Sequence, residues 1–227
     1  MNNLFNDSVL LLDKPLTWTS FDVVNKVRYA GKFKKVGHAG TLDPLATGLL
    51  ILCTGKKTKE IEQYQAQEKE YTGKFMLGKT TPSADLETEV DATFATDHIT
   101  EEMLQATKLI FTGKISQIPP LFSAIKVKGK RAYEAAREGK TLELKAREIE
   151  IKEFDIDTTA FPEIAFRVVC SKGTYIRSLA RDFGEAVNSG AYLSELRRTK
   201  IGDFSVANAE TVETMVQKIK DSNEDLQ

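Results

Sequence analysis

Between Gly37 and Lys59 the chain reads GHAGTLDPLATGLLILCTGKKTK, which sets Gly37, Gly40 and Gly48 around a histidine, an aspartate and a proline. Asp43 offers a carboxylate for nucleophilic or proton-transfer chemistry, and His38 offers an imidazole. Each has a plainer reading. An Asp-Pro step is a strong helix start, with Asp43 as N-cap and Pro44 in the first helical position. A lone histidine among glycines is ordinarily a polar loop residue. Arg177 sits in the first turn of an expected helix, where a cation opposes the macrodipole unless a carboxylate or phosphate offsets it. The alternative for Arg177 is an exposed side chain pairing with Asp182. Spacing alone does not choose between these readings.

Other chemistries find less support. The histidines and cysteines lie far apart, without metal-ligand spacing, so no metal is expected. Cys53 and Cys170 fall in apolar, strand-like runs and read as buried, reduced thiols of a cytoplasmic protein.

The elements that must position these residues follow from periodicity. Val9 to Asp13 is a compact apolar run closed by Lys14 and Pro15, a buried strand ending in a turn. Thr19 or Ser20 caps a helix with Val23, Val24 and Val27 inward. Tyr71, Phe75 and Leu77 alternate along a strand, as do Ile164, Phe166, Val168 and Cys170. Thr100 opens a helix closed by Gly113, with Leu104, Ile110 and Phe111 inward; Gly173 and Thr174 open another carrying Ile176, Leu179, Ala180 and Phe183. Helices and strands mix without a βαβ rhythm, which predicts an α+β fold on a mainly antiparallel mixed sheet flanked by helices.

With 227 residues the chain has length for one large domain or two small ones, and 41% hydrophobic against 29% charged residues is the balance of a globular protein. The longest apolar runs are too short to span a bilayer, and the N-terminus lacks the basic region of a signal peptide. Net charge is −1, yet the signs are segregated. Lys32, Lys34 and Lys35 form one basic cluster, Lys126, Lys128, Lys130 and Arg131 a second, and Arg197, Arg198 and Lys200 a third. Such clusters suit phosphate contacts as well as solvated faces.

Six segments, in order, resemble the catalytic domain of the TruB-type tRNA pseudouridine synthases. They are VLLLDKP from Val9 to Pro15, GHAGTLDPLATGLL from Gly37 to Leu50, and KEYTGKFMLGKTTPSAD from Lys69 to Asp85. QIPPLFSAIKVKGKRAYEAAREG follows from Gln117 to Gly139, then CSKGTYIRSLARDFGE from Cys170 to Glu185 and LSELRRTKIGDF from Leu193 to Phe204. The resemblance implies the pseudouridine synthase fold and isomerisation of uridine 55 in the tRNA T loop, without a cofactor. It makes Asp43 the catalytic aspartate, Arg177 its partner, and Lys14 the lysine that supports the site. His38, Tyr71, Tyr175 and Leu196 take the place of substrate contacts, with Tyr71 stacking on the flipped base.

Many members carry a C-terminal PUA domain. Here residues 205–227 read instead as one polar helix with an acidic tail, so a single catalytic domain over 1–227 is expected. The expected partner is the T arm of tRNA, with no protein partner, no membrane and a monomeric state. The competing readings are a T-loop-binding RNA-folding chaperone, a sibling synthase acting on another RNA, and an aspartate-dependent hydrolase.

Overall fold

In the computed structural model, residues 4–123, 126–127, 130–131 and 144–224 are described. Strands of three residues or more run in the order β1 (Val9–Lys14), β2 (Val36–His38), β3 (Ala46–Thr54), β4 (Lys69–Leu77), β5 (Gly113–Gln117), β6 (Arg147–Asp157), β7 (Glu163–Cys170) and β8 (Ala191–Ile201). The helices are α1 (Ser20–Gly31), α2 (Ile61–Ala66), α3 (Glu101–Ile110), α4 (Ile176–Ala186) and α5 (Val212–Glu224). The chain divides into two compact units, one formed by residues up to Tyr71 and from Leu196 onward, the other by Thr72–Glu195. The expected α+β class with a mainly antiparallel sheet is what forms.

The first unit is built on β3. Its run of buried aliphatics is continuous rather than alternating because both faces are covered. Leu50 and Leu52 join Leu10 and Leu12 of β1 under α1 and α5, while Leu49, Ile51 and Cys53 pack on the opposite face with Ala39 and Ile201. Strand β1 pairs antiparallel with β3, β2 pairs antiparallel with the far end of β3, and the C-terminal part of β8 lies parallel to its start. Helix α1 begins where its sequence says it should. Thr19 and Asp22 form a reciprocal capping box, and Val23, Val24 and Val27 are buried.

The C-terminal segment differs from the single polar helix expected of it. A short strand (Glu210–Thr211) pairs with β1, and only then does α5 start, with Val212, Met215, Val216 and Ile219 buried. Their i, i+3, i+4, i+7 spacing is an apolar stripe that net polarity conceals.

In the second unit β6 pairs antiparallel with both β5 and β7. Phe75 of β4, Phe154 of β6 and Phe166 of β7 meet Phe183 of α4 in one aromatic cluster. Helix α3 buries Leu104 and Thr107 and brings Phe111 against Phe183, but Ile110, expected inward, is 67% exposed. Six residues beyond Leu104, it has rotated onto the outer face. Lys126–Val127 pairs with Lys130–Arg131. Lys128 of that basic cluster lies outside the described residues, as does Asp225 of the acidic tail.

Candidate active site

Asp43 is not a helix N-cap. It is followed by a tight turn, in which its carbonyl accepts from Ala46 N at 3.1 Å, and then by β3 rather than a helix. Strand-forming Leu49, Leu50 and Ile51 override the local Asp-Pro signal because both faces of β3 are wanted by the core.

What the local signal also missed is how firmly this loop is held. Each backbone carbonyl from Gly40 to Pro44 is taken. Arg198 donates from Nη2 to Gly40 O (3.1 Å) and from Nη1 to Thr41 O (3.5 Å). The Ser20 hydroxyl donates to Leu42 O (3.2 Å) and accepts from Leu42 N (2.9 Å). Pro44 O accepts from Thr17 N (2.8 Å) and, at 3.4 Å, from Lys14 Nζ. A backbone whose carbonyls are all engaged cannot relax without losing those bonds. Asp43 is therefore presented from a rigid turn, its side chain half-buried.

Lys14, wholly buried at the end of β1, also donates to Pro15 O (2.9 Å) and Trp18 O (2.6 Å). Burial brings its pKa down to about 8; the Asp43 charge opposes that fall, and Arg198 adds to it. Lys14 and Asp43 thus lie within electrostatic reach of one another. His38 ends β2, opposite Leu52 and half-buried. Burial lowers its pKa, the Gly40 carbonyl resists, and the Arg198 charge lowers it further. Leu196 pairs in register with Ala46, on the strand neighbouring the Asp43 turn. Tyr71 lies half-buried in β4, in this same unit.

Tyr175 and Arg177 belong to the second unit. Gln117, 2% exposed, reads the Tyr175 backbone in both directions: Oε1 accepts from Tyr175 N at 2.8 Å, and Nε2 donates to Tyr175 O at 3.1 Å. That amide clamp fixes the start of α4, where Tyr175 is the N-cap. Arg177 is buried, which removes the reading of an exposed side chain paired with Asp182. Asp182 is held by Arg181 instead. Arg177 donates to Phe122 O (2.8 Å) and Ser83 O (3.4 Å), and its Nε lies 3.5 Å from Asp85 Oδ2, the two side chains being 6% and 8% exposed. Asp85 is the carboxylate that sequence reasoning passed over; it stood at the end of TTPSAD as one acid in an acidic stretch. Gln117, Ser20 and Arg198 were missed as well. Ser20 looked like a helix cap, Gln117 had no signal, and Arg198 was grouped with surface cations.

That third basic group is not a free phosphate surface. Arg198 is buried, Arg197 makes a two-pronged pair with Asp13 (3.0 and 2.6 Å), and Lys200 lies 3.5 Å from Glu70. Lys32, Lys34 and Lys35 are exposed.

Against this geometry stand the comparisons with known proteins. A family model described as TruB family pseudouridylate synthase (N terminal domain) matches residues 28–176. The chain belongs to the TruB family of pseudouridylate synthases. It is an enzyme, an isomerase by class. A second model, described as tRNA pseudouridylate synthase B C-terminal domain, matches residues 177–227. Among curated TruB relatives, the tRNA pseudouridine synthase B of Flavobacterium johnsoniae is 60% identical, covering 88% of this chain and 91% of its own. That of Phocaeicola vulgatus is 56% identical and covers 93% of each. Among solved structures, the Cbf5-Nop10-Gar1 complex is similar with a TM-score of 0.74 at 29% identity, covering 98% of this chain and 57% of that one. The archaeal box H/ACA sRNP Nop10-Cbf5 complex gives 0.72 at 25%, with 98% and 57% covered. The TruB chain thus spans a little over half the length of these solved chains.

Proposed function

We propose that this TruB-family chain acts in the cytoplasm as a single, monomeric catalytic domain that converts uridine 55 in the T loop of tRNA to pseudouridine, with Asp43 as the catalytic carboxylate. The observation that carries the reading is Asp43 on a loop whose every carbonyl is held, in a chain 60% identical to a relative named for tRNA pseudouridine synthesis. The reaction breaks the bond from C1′ to N1, turns the uracil, and joins C1′ to C5; C5 gives up a proton and N1 gains one. No atom or electron is lost overall, so Asp43 needs only to be ionised, whether it attacks the nucleotide or takes a ribose proton. Lys14 favours that ionised form by its charge.

In this reading Arg177 is the counter-charge of Asp43, with Asp85 holding its guanidinium from within its own unit. His38, Tyr175 and Leu196 contact the substrate. Taking the base out of its stack costs a few kcal/mol, and stacking on Tyr71 returns roughly 1–3 kcal/mol of it. The decisive test is Asp43→Asn, assayed for pseudouridine in an unmodified tRNA transcript beside a binding titration. Turnover should fall by several orders of magnitude while tRNA binding persists. Substantial turnover by the folded variant would overturn the proposal, and would leave the RNA-folding chaperone as the better reading.

A second reading, modification of an RNA other than tRNA, draws on the likeness to Cbf5 chains solved in complexes with protein partners. Pseudouridine at position 55 of a bare transcript, with no other protein or RNA added, decides against it.

A further inference from the structure

We propose that Arg198 is a positioning residue for the reaction, its buried guanidinium fixing the backbone on both sides of Asp43 in the geometry that turnover requires. The proposal rests on Asp43 being the catalytic carboxylate. Arg198 is 1% exposed, and its hydrogen-bond partners are backbone carbonyls rather than carboxylates. Nη2 and Nη1 hold Gly40 and Thr41 before Asp43; Nε holds Leu49 O, at 2.8 Å, after it.

The two sides of the loop are thereby tied through one rigid planar group. A lysine carries its donors on a single nitrogen and lacks the three separate nitrogens that here each take a different carbonyl. The fold makes room for this tie. Gly48, at φ +102°, is in register with Arg198, and a Cβ there would collide with the Arg198 backbone. Burying a cation without a carboxylate is costly, and an apolar side chain of similar volume would fill the core more cheaply. An arginine here is thus explained by what it holds. Its charge also reaches both Lys14 and His38, the groups that surround the Asp43 loop.

The test uses the full chain and an unmodified tRNA transcript. Single-turnover rates are measured against enzyme concentration for Arg198→Lys, Arg198→Met and Asp43→Asn, at a temperature where near-UV circular dichroism shows each variant folded. Arg198→Lys should lose roughly a hundredfold in maximal rate, the scale expected when a catalytic group is displaced by about 1 Å. Its half-saturating concentration should change by no more than about threefold, because a positioning role acts on the transition state rather than on uniform binding. A folded Arg198→Lys or Arg198→Met with the parental maximal rate overturns the proposal. So does a loss confined to half-saturation, which would mark a phosphate contact. If neither variant folds at any temperature, the arginine is structural and the proposal is likewise overturned. Asp43→Asn separates the two layers: parental turnover there breaks the reading of Asp43 itself, whereas a dead Asp43→Asn beside a fully active Arg198→Lys breaks only the positioning role.

Discussion

Lys32, Lys34 and Lys35 all face solvent at the exit of α1, whereas Arg198 is buried beside β3, Arg197 clasps Asp13 and Lys200 lies against Glu70. In sequence the two runs look alike, short and rich in positive charge. What separates them is the element beneath. The first follows a helix end, where the backbone turns left-handed at Lys32 and side chains splay outward. The second lies on β8, where alternate residues point to opposite faces, so Arg198 is driven inward while Arg197 is not. Charge at the first can meet a partner from solution; at the second Arg198 is spent inside the molecule, while Arg197 and Lys200 are paired at its surface.

Removing the buried cation should therefore have the largest effect on stability. Arg198→Ala removes the partner of the buried Leu49 carbonyl and of the partly buried Gly40 and Thr41 carbonyls, at on the order of 3 kcal/mol. A denaturant midpoint equal to that of the parent would erase the distinction between the two runs.

Lys14 extends the buried side of the comparison to pH. Its folded pKa of about 8 lies below the ordinary 10.5, so between those values the unfolded chain binds more protons, and stability rises with pH. Cys53, whose thiol burial pushes up to about 11 from 9.0, acts in the opposite sense above pH 9. Since Cys53 is common to both proteins, the stability of the parent relative to Lys14→Met should climb from pH 8 towards pH 10. A flat difference would mean that burial does not lower the pKa of Lys14.

The Arg197–Asp13 pair, with side chains 36% and 32% exposed, should matter less. Arg197→Ala is expected to cost at most about 1 kcal/mol, checked by the same denaturant titration. For the exposed run, replacing Lys34 and Lys35 with Ala should move stability by no more than about 0.5 kcal/mol. Yet if these lysines meet RNA phosphates, the slope of log affinity against log salt should flatten by roughly 0.9 for each phosphate that is no longer neutralised. An unchanged slope would leave the run as a solvated edge and nothing more.

Much of the fold was legible because it rests on short-range pattern. The capping box at Thr19, the alternating strands of the second unit and the apolar face of α4 all appear where periodicity puts them. The site was legible only in its catalytic candidates. Asp43 and Arg177 stood out by resemblance, but local signals pointed to an N-cap and an exposed pair. What holds them was not readable, because Ser20, Arg198, Gln117 and Asp85 act over long sequence separations, and mostly on backbone groups that any residue possesses. A hydrogen bond to a carbonyl leaves no mark on the identity of the residue accepting it.

The loop that carries Asp43 is also assembled in two instalments. Lys14 and Ser20 precede it in the chain, so their bonds to Pro44 and Leu42 join segments 30 and 22 residues apart. The bond from Arg198 to Gly40 closes a separation of 158. During synthesis from the N-terminus the early partners are already waiting when Asp43 appears, while the guanidinium that ties its flanks is made long after it. A chain that stops short of Arg198 displays the aspartate on a half-fastened loop.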